Sequence, residues 1–572
     1  MRARAGRRLV ALLALMLLAF GSIAARLTVL QVGDHGSLEA RGLDQRVRTV
    51  ELPAARGQIL DRRGVPLAIT LDARDIYANP ALVTDPVGEA DQLAEALATR
   101  PKHVLPALEA DGTFAFVARQ VDLDVAQRVE DLHLPGIGFL DVPKRYYPAG
   151  ALAPAVIGFV GVDGSGLAGL ETQYDAELAG VPGERTYEQS SGQPIAQGID
   201  VVSEPIDGTG VQTTLDREMQ YQAQEALKDA VETNGAKSGT VIVMDVRTGD
   251  IYAMASYPWF DPNDYARVAA NDPGRLRNPA VTDSFEPGSV NKVITAAAAI
   301  ESGTVSITQL FRVPDSMRVD EYTIHDSHTH PIETMTLADI VAQSSNIGIA
   351  KVGALVGETT LASYLNRFGF GRTTGLGFPG ESEGIVPALS DWSDASLATI
   401  SYGQGVSVTP LQMTSVYATI ANGGVWVRPR LVRGTVDGSG TFSSAPASAK
   451  RHVLQPQTAS VLAQMLAYAV EDGTGTSAQI PGYQVAGKTG TALKPAPTGG
   501  YYSGRYVASF IGFLPAGDPR IVVAAILDEP DTGYGGIAAA PLFQEVARYA
   551  IQLLGIPTGP IVAPPPHVFG QP

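Results

Sequence analysis

The chain has 572 residues and a formal net charge of −17, with 42 basic residues against 59 acidic ones. That excess of acid excludes a nucleic-acid binder that works by neutralising phosphates, and the length points to roughly two to four domains. Cysteine is absent, which excludes disulfides, thiolate metal sites and a cysteine nucleophile, so covalent chemistry falls to Ser, Thr, Lys or a carboxylate. Only nine of the basic residues are lysines, which makes each one informative.

Arg2, Arg4, Arg7 and Arg8 precede an apolar run from Leu9 to Ala25. A helix of that length spans ~25 Å, a little short of a ~30 Å hydrocarbon core. Leu27 to Val32 extends the run past Arg26, whose side chain can snorkel. The basic flank predicts residues 1–8 in the cytoplasm, one transmembrane anchor over 9–32, and the remainder outside. The rival is a cleaved signal peptide, since Ser22 and Ala24, or Ile23 and Ala25, loosely fit a peptidase; the run is longer than a typical signal core.

Residues 33–205 alternate short apolar runs with Gly/Pro breaks, as in Ala55–Thr70 and Lys144–Gly161. They are expected to form an extended mixed pedestal whose polar residues show no tight constellation, a spacer by default. From 206 to 555 the pattern sharpens. Asp216 to Val231 has helical periodicity, with Met219, Ala223 and Leu227 on one face. Thr240–Val246 and Ile251–Ser256 flank a turn and predict a hairpin, as do Tyr506–Leu514 and Arg520–Leu527. Between the hairpins the chain reads as mostly helical, and Ala539–Leu554 as a last amphipathic helix. Helices interrupting antiparallel strands predict an α+β domain. The Pro-rich segment 556–572 is expected to be disordered.

Three short motifs carry the chemistry. In Phe285–Lys292 (FEPGSVNK), Pro287 and Gly288 sit where a helix starts, so Ser289 and Lys292 fall on one face. A serine hydroxyl needs a base to take its proton, and a lysine is that base only if burial or a neighbouring cation lowers its pKa. Ser and Lys three apart are otherwise an ordinary surface pair. Ser344-Ser345-Asn346 interrupts an apolar helical stretch, as a turn between buried helices does; its alternatives are a plain helix cap, or a hydroxyl that relays a proton beside an amide that orients Lys292. Gly487-Lys488-Thr489-Gly490-Thr491 falls on a predicted strand, where glycine admits a close backbone neighbour and a lysine among threonines suits a carboxylate. The look-alike is a phosphate loop, but no helix is expected to follow. Together and in this order the three match S-x-x-K, S-x-N and K-T-G, the serine acyl-transferase set.

With these motifs, and with RGQILDRRGVPLA (Arg56–Ala68), GLETQYDAELAGVPGER (Gly169–Arg185) and YGQGVSVTPLQMTSVYATIANGG (Tyr402–Gly424), the chain resembles a class B penicillin-binding protein of the division type along nearly its whole length. The one small departure is Val290, where many members have Thr. The resemblance implies an antiparallel five-stranded sheet flanked by helices, as in serine β-lactamases, carrying a peptidoglycan D,D-transpeptidase that needs no metal or cofactor. It implies stem peptides ending in D-Ala-D-Ala as substrate and β-lactams as covalent inhibitors. Ser289 would be the nucleophile, Lys292 the base taking its proton, Ser344 the relay to the departing D-Ala and Asn346 the orienting amide. Lys488, Thr489, Gly490 and Thr491 would bind the terminal carboxylate, with backbone N–H groups of Ser289 and Thr491 as oxyanion hole. It further implies a plasma-membrane protein at the division septum, partnered by a polytopic glycosyltransferase and other division proteins, and no nucleic acid. The alternatives are an elongation-type enzyme, a β-lactamase or β-lactam sensor, and a non-catalytic division scaffold.

Two features stand outside that set. His325, His328 and His330 cluster in HDSHTHP, with a spacing that could bind zinc but is read as a surface loop. Glu286, beside the nucleophile, could modulate pKa values; its plainer role is an acid at a helix start.

Overall fold

The structure is a computed structural model that describes residues 2–33, 46–190, 193–195, 198–496 and 499–568. The chain divides into two compact units. The first comprises Met1–Ala55 and Gly180–Asp207. It holds helix α1 (Arg2–Thr28), and the stretch Gly6–Gln31 within and just beyond α1 is long and apolar enough to cross a membrane. It also holds a small sheet in which Val47–Leu52 and Asp200–Ser203 both pair antiparallel with Gly183–Ser190.

The second unit comprises Arg56–Ala179 and Gly208–Pro572. Its central sheet is antiparallel and five-stranded, built from β1 (Ser238–Asp245), β2 (Ile251–Tyr257), β3 (Ala486–Pro495), β4 (Tyr501–Leu514) and β5 (Ile521–Asp528) in the spatial order β2-β1-β5-β4-β3. Both expected hairpins are therefore present and share one sheet. Side chains alternate across it. Val241, Val243, Phe510, Val523 and Ala525 face one apolar layer, completed by α2 (Arg217–Thr233) and the C-terminal helix Gly535–Leu554. Ile242, Met244, Ile511, Phe513, Val522 and Ala524 face the other. That second layer contains α3 (Lys292–Glu301), α4 (Leu337–Ala342), α5 (Asn346–Val356), α6 (Pro410–Ala421) and α7 (Pro456–Glu471). A sheet buried on both faces needs apolar residues at both parities, which is why its strands read as continuous apolar runs. Helix α2 buries the predicted Met219, Ala223 and Leu227, and Asp216 caps it by accepting from the N–H groups of Glu218 and Met219.

Two observations differ from the sequence reading. The pedestal segment does hold a tight polar constellation. Glu171 is fully buried and takes Arg56 Nε on one oxygen and Arg145 Nε on the other, both at 2.7 Å, while Arg56 Nη1 reaches Asp175 at 2.7 Å. The four residues lie up to 119 positions apart in sequence, so no local spacing reveals them. The Pro-rich tail, expected to be disordered, is described to Val568 and lies on the second unit. Gln484 exchanges two hydrogen bonds with the backbone of Val562, Tyr483 donates to the Ile556 carbonyl, and the Val568 N–H donates to Asp339 Oδ2 at 3.0 Å. Residues 569–572 lie outside the described residues.

Candidate active site

The Phe285–Lys292 motif does not open directly as an α-helix. Gly288–Asn291 forms a 3-10 turn that runs into α3 at Lys292. Residues three apart eclipse in such a turn, so Ser289 and Lys292 stack on one side. Gly288 sits at φ +56°, and a Cβ there would come within 3.0 Å of the Thr491 carbonyl. The turn is thus pressed against β3 at a distance only glycine allows. Gly490 provides the matching surface, since a Cβ on it would lie 2.2 Å from Ser509 Oγ and 3.2 Å from the Pro287 carbonyl. The close backbone approach expected of a strand glycine is present here.

Ser344-Ser345-Asn346 lies where α4 ends and α5 begins, a turn between buried helices. Ser344 holds φ +61°, a left-handed conformation costly for a residue with a Cβ. It aims the hydroxyl at Ser289: Ser344 Oγ lies 2.9 Å from Ser289 Oγ and 3.2 Å from Lys292 Nζ. Lys292 Nζ also donates to the Ser344 carbonyl and, at 2.8 Å, to Asn346 Oδ1. The connection from Ser289 to the amine therefore passes through Ser344, because the two carbonyl-type acceptors draw the amine toward the turn.

Lys292 is fully buried while Ser289 is partly exposed. Burial drives the amine well below its ordinary 10.5, the nearby Lys488 charge pushes the same way, and Asp326 opposes both. Lys488, on β3, is also fully buried, and burial lowers it to about 7. Its Nζ donates to the Thr474 hydroxyl at 3.2 Å and to the carbonyl and hydroxyl of Thr489. Thr491 Oγ1 accepts from the Gly535 N–H at 3.2 Å. The sequence from Gly482 to Thr489 spells G-x-x-x-x-G-K-T, the phosphate-loop pattern, but here Ala486–Pro495 is strand and not a loop running into a helix.

The structure thus brings Ser289, Lys292, Ser344 and Asn346 into one bonded cluster and packs the strand bearing Lys488, Thr489, Gly490 and Thr491 against the same turn. It adds Thr474, which sequence reasoning missed; its only signal was a small-residue loop, Gly473–Thr476, after α7. Glu286 does not serve as an acid at a helix start. Its Oε1 accepts from the Gly405 N–H at 2.9 Å and the Tyr501 hydroxyl at 3.2 Å, and burial raises its pKa. The histidine cluster is not a surface loop throughout. His325 and His328 are exposed, whereas the His330 side chain is 5% exposed and lies against an equally buried Asp326. No group of three or more potential ligands is placed to hold a metal ion among the described residues.

A family model described as the penicillin-binding protein transpeptidase domain matches residues 239–548, and the penicillin-binding protein dimerisation domain matches 51–213. The chain belongs to the penicillin-binding protein transpeptidases. It is 36% identical to penicillin-binding protein PbpB of Mycolicibacterium smegmatis over 97% of this chain and 91% of that one. It is 32% identical to peptidoglycan D,D-transpeptidase FtsI of Escherichia coli, with 95% and 91% covered. Among solved structures it is similar to penicillin-binding protein 3 of Mycobacterium tuberculosis complexed with ampicillin, at 34% identity and a TM-score of 0.71, covering 90% of this chain and 99% of the other. In this penicillin-binding protein the transpeptidase match contains all three motifs, and the dimerisation match contains Arg56, Arg145, Glu171 and Asp175.

Proposed function

We propose that this protein is a peptidoglycan D,D-transpeptidase that cross-links stem peptides during septal wall synthesis, through an acyl-enzyme on Ser289. The observation that carries the reading is the Ser289–Ser344–Lys292 chain ending in a fully buried amine, whose pKa burial and the Lys488 charge hold well below its ordinary 10.5. A neutral amine has two N–H groups and one lone pair. The Ser344 carbonyl and Asn346 Oδ1 can only accept, so they take the two N–H groups. The lone pair is left for the Ser344 hydroxyl.

Acylation then proceeds with every proton placed. Ser289 Oγ–H passes its proton to Ser344 Oγ as Ser344 passes its own to Lys292 Nζ. Ser289 Oγ bonds to the penultimate D-Ala carbonyl carbon, and the oxyanion is held by the N–H groups of Ser289 and Thr491. Loss of one such donor typically costs ~10²–10³ in rate. The C–N bond breaks, and the departing D-Ala amine regains the proton from Lys292 through Ser344. An acceptor amine attacks the ester, gives its proton to Lys292 by the same path, and Ser289 Oγ recovers it on leaving. Protonated Lys488, with Thr489 and Thr491, holds the terminal carboxylate; Gly490 lets the strand approach. β-Lactams enter the same path and stop at the acyl-enzyme.

The apolar helix α1 supports a single-pass membrane protein with residues 206–555 as catalytic domain on the outer side, and the likeness to FtsI supports a septal site beside a polytopic glycosyltransferase. The test is labelling of the full-length protein with fluorescent penicillin, with the adduct mapped by mass spectrometry. Ser289→Ala must abolish it; a variant that still acylates refutes the assignment. A fluorescent fusion spread along the side wall, not gathered at midcell, refutes the septal role.

A further inference from the structure

The HDSHTHP segment is not used by the steps above, yet it holds the Ser344–Asn346 turn through Ser345, Asn346 and the first turn of α5. Asp326 Oδ1 accepts from the backbone N–H groups of Asn346 at 2.5 Å and Ile347 at 3.1 Å, and Oδ2 accepts from the Ser345 hydroxyl at 2.7 Å. The carboxylate thus caps α5 directly, at the end where a negative charge is favoured. His330 Nε2 lies 3.1 Å from Oδ2 and completes four donors on one carboxylate whose side chain is 4% exposed. On the other side of the turn, Asn346 Nδ2 donates to the His325 carbonyl at 3.0 Å. That bond settles the amide's orientation, because only with Nδ2 on the carbonyl does Oδ1 face Lys292.

His330 itself is pinned at both nitrogens. Nδ1 lies 2.7 Å from the Pro331 carbonyl, which can only accept, and Nε2 faces a carboxylate already taking three other donors. With an acceptor against each ring nitrogen, the surroundings favour the doubly protonated ring. The groups facing it are Asp326, Glu333 at 3.9 Å from Nδ1, and the His328 ring at 5.4 Å between centroids. Burial pulls its pKa down, but the bonds to Pro331 and Asp326 and the charges of Glu333 and Asp326 outweigh it and raise the ring above its ordinary value.

We propose that Asp326 and His330 are positioning residues for acyl transfer: the pair locks the Ser344–Asn346 turn so that the Ser344 hydroxyl and the Asn346 amide meet Lys292. The proposal rests on the acyl-enzyme reading of Ser289. A turn released by ~1 Å typically costs about 100-fold in rate, and that loss belongs to the chemical step, because the carboxylate of the ligand is held by a different strand.

The experiment is stopped-flow acylation of the full-length protein by fluorescent penicillin, resolving the limiting acylation rate from the dissociation constant of the first complex. Asp326→Asn and His330→Phe should each lower the limiting rate by about 100-fold, leave the dissociation constant unmoved, and still label fully at long times. His330→Gln, which restores one neutral donor, should recover part of the loss. Histidine-selective 15N NMR of the wild type, assigned by the signal lost in His330→Phe, should show both nitrogens of His330 protonated at neutral pH. A wild-type acylation rate in Asp326→Asn, or a fall only in the labelled fraction, overturns the proposal; so does a neutral His330 ring. An adduct mapped away from Ser289 overturns the acyl-enzyme reading itself.

Discussion

Lys488 is a residue whose chemistry and stability pull in opposite directions, and Lys488→Met separates them. Burial lowers its amine from the ordinary 10.5 to about 7. The folded protein therefore binds fewer protons than the unfolded chain between those values, so stability rises with pH across that window and falls as pH drops through it. Each pH unit of the gap corresponds to about 1.4 kcal/mol, so at pH 7 the buried amine costs about 5 kcal/mol relative to pH 10.5. Methionine fills a similar volume without a charge to desolvate. It leaves the Thr474 and Thr489 hydroxyls to pair with one another, as they already do at 2.7 Å. Lys488→Met should be more stable than the wild type at pH 7 by up to that amount, measured by reversible denaturant unfolding of the transpeptidase transition. The advantage should shrink steadily as the pH is raised toward 10. The same variant should lose affinity for penicillin, because the carboxylate partner is gone. A variant no more stable than the wild type at pH 7, or a gap that stays constant with pH, refutes the argument that desolvation sets the state of this lysine.

The two lysines also shape the pH dependence of acylation. Activity should rise with pH as Lys292 loses its proton and fall by about tenfold per unit above 7 as free Lys488 does; Lys488→Arg, always charged, should erase the alkaline limb in second-order acylation rates. Glu171→Ala strands the buried Arg145 without its carboxylate and leaves Arg56 with Asp175 alone, and should cost about 3–5 kcal/mol in unfolding experiments, with the acylation rate per folded molecule unchanged. Gly490→Ala forces a methyl to within 2.2 Å of Ser509 Oγ and 3.2 Å of the Pro287 carbonyl; displacing β3 from the nucleophile turn should lower acylation about 100-fold, readable as slower penicillin labelling.

Ordered short motifs made the Ser289, Lys292, Ser344 and Asn346 cluster legible. Ser289 and Lys292 are three apart on one turn, and Ser344 and Asn346 share another, so local geometry places each pair. The hairpins were legible because their strands are apolar at both parities and bounded by Gly/Asp turns. What stayed hidden is whatever closes through space. Thr474 reaches Lys488 from a loop 14 residues away. Glu171 meets Arg56 across 115. Glu286 answers Gly405 and Tyr501 across 119 and 215 residues. A polar residue with a distant partner looks in sequence like any solvated one. HDSHTHP misled for the same reason: its histidine spacing suggested metal or surface, while its buried pair is Asp326 with His330, settled by α5 packing over it.

The site concentrates unfavourable terms in a small volume. Two amines are buried near one another, Ser344 is held at a positive φ, and Glu286 Oε2 is buried without a hydrogen-bond partner among the described residues. Each of these is a feature that folding alone would remove. They persist because the surrounding layers leave them nowhere to relax: the sheet is apolar on both faces, α3 buries Val293 to Ala299 without a break, and the turn carrying Ser344 is fixed at both ends by α4 and α5. Rigidity of that kind also explains why Lys292 stays poised. An amine free to swing out to water would regain its ordinary pKa, so the tight apolar packing of α3 supports the proposed proton transfer as directly as any hydrogen bond.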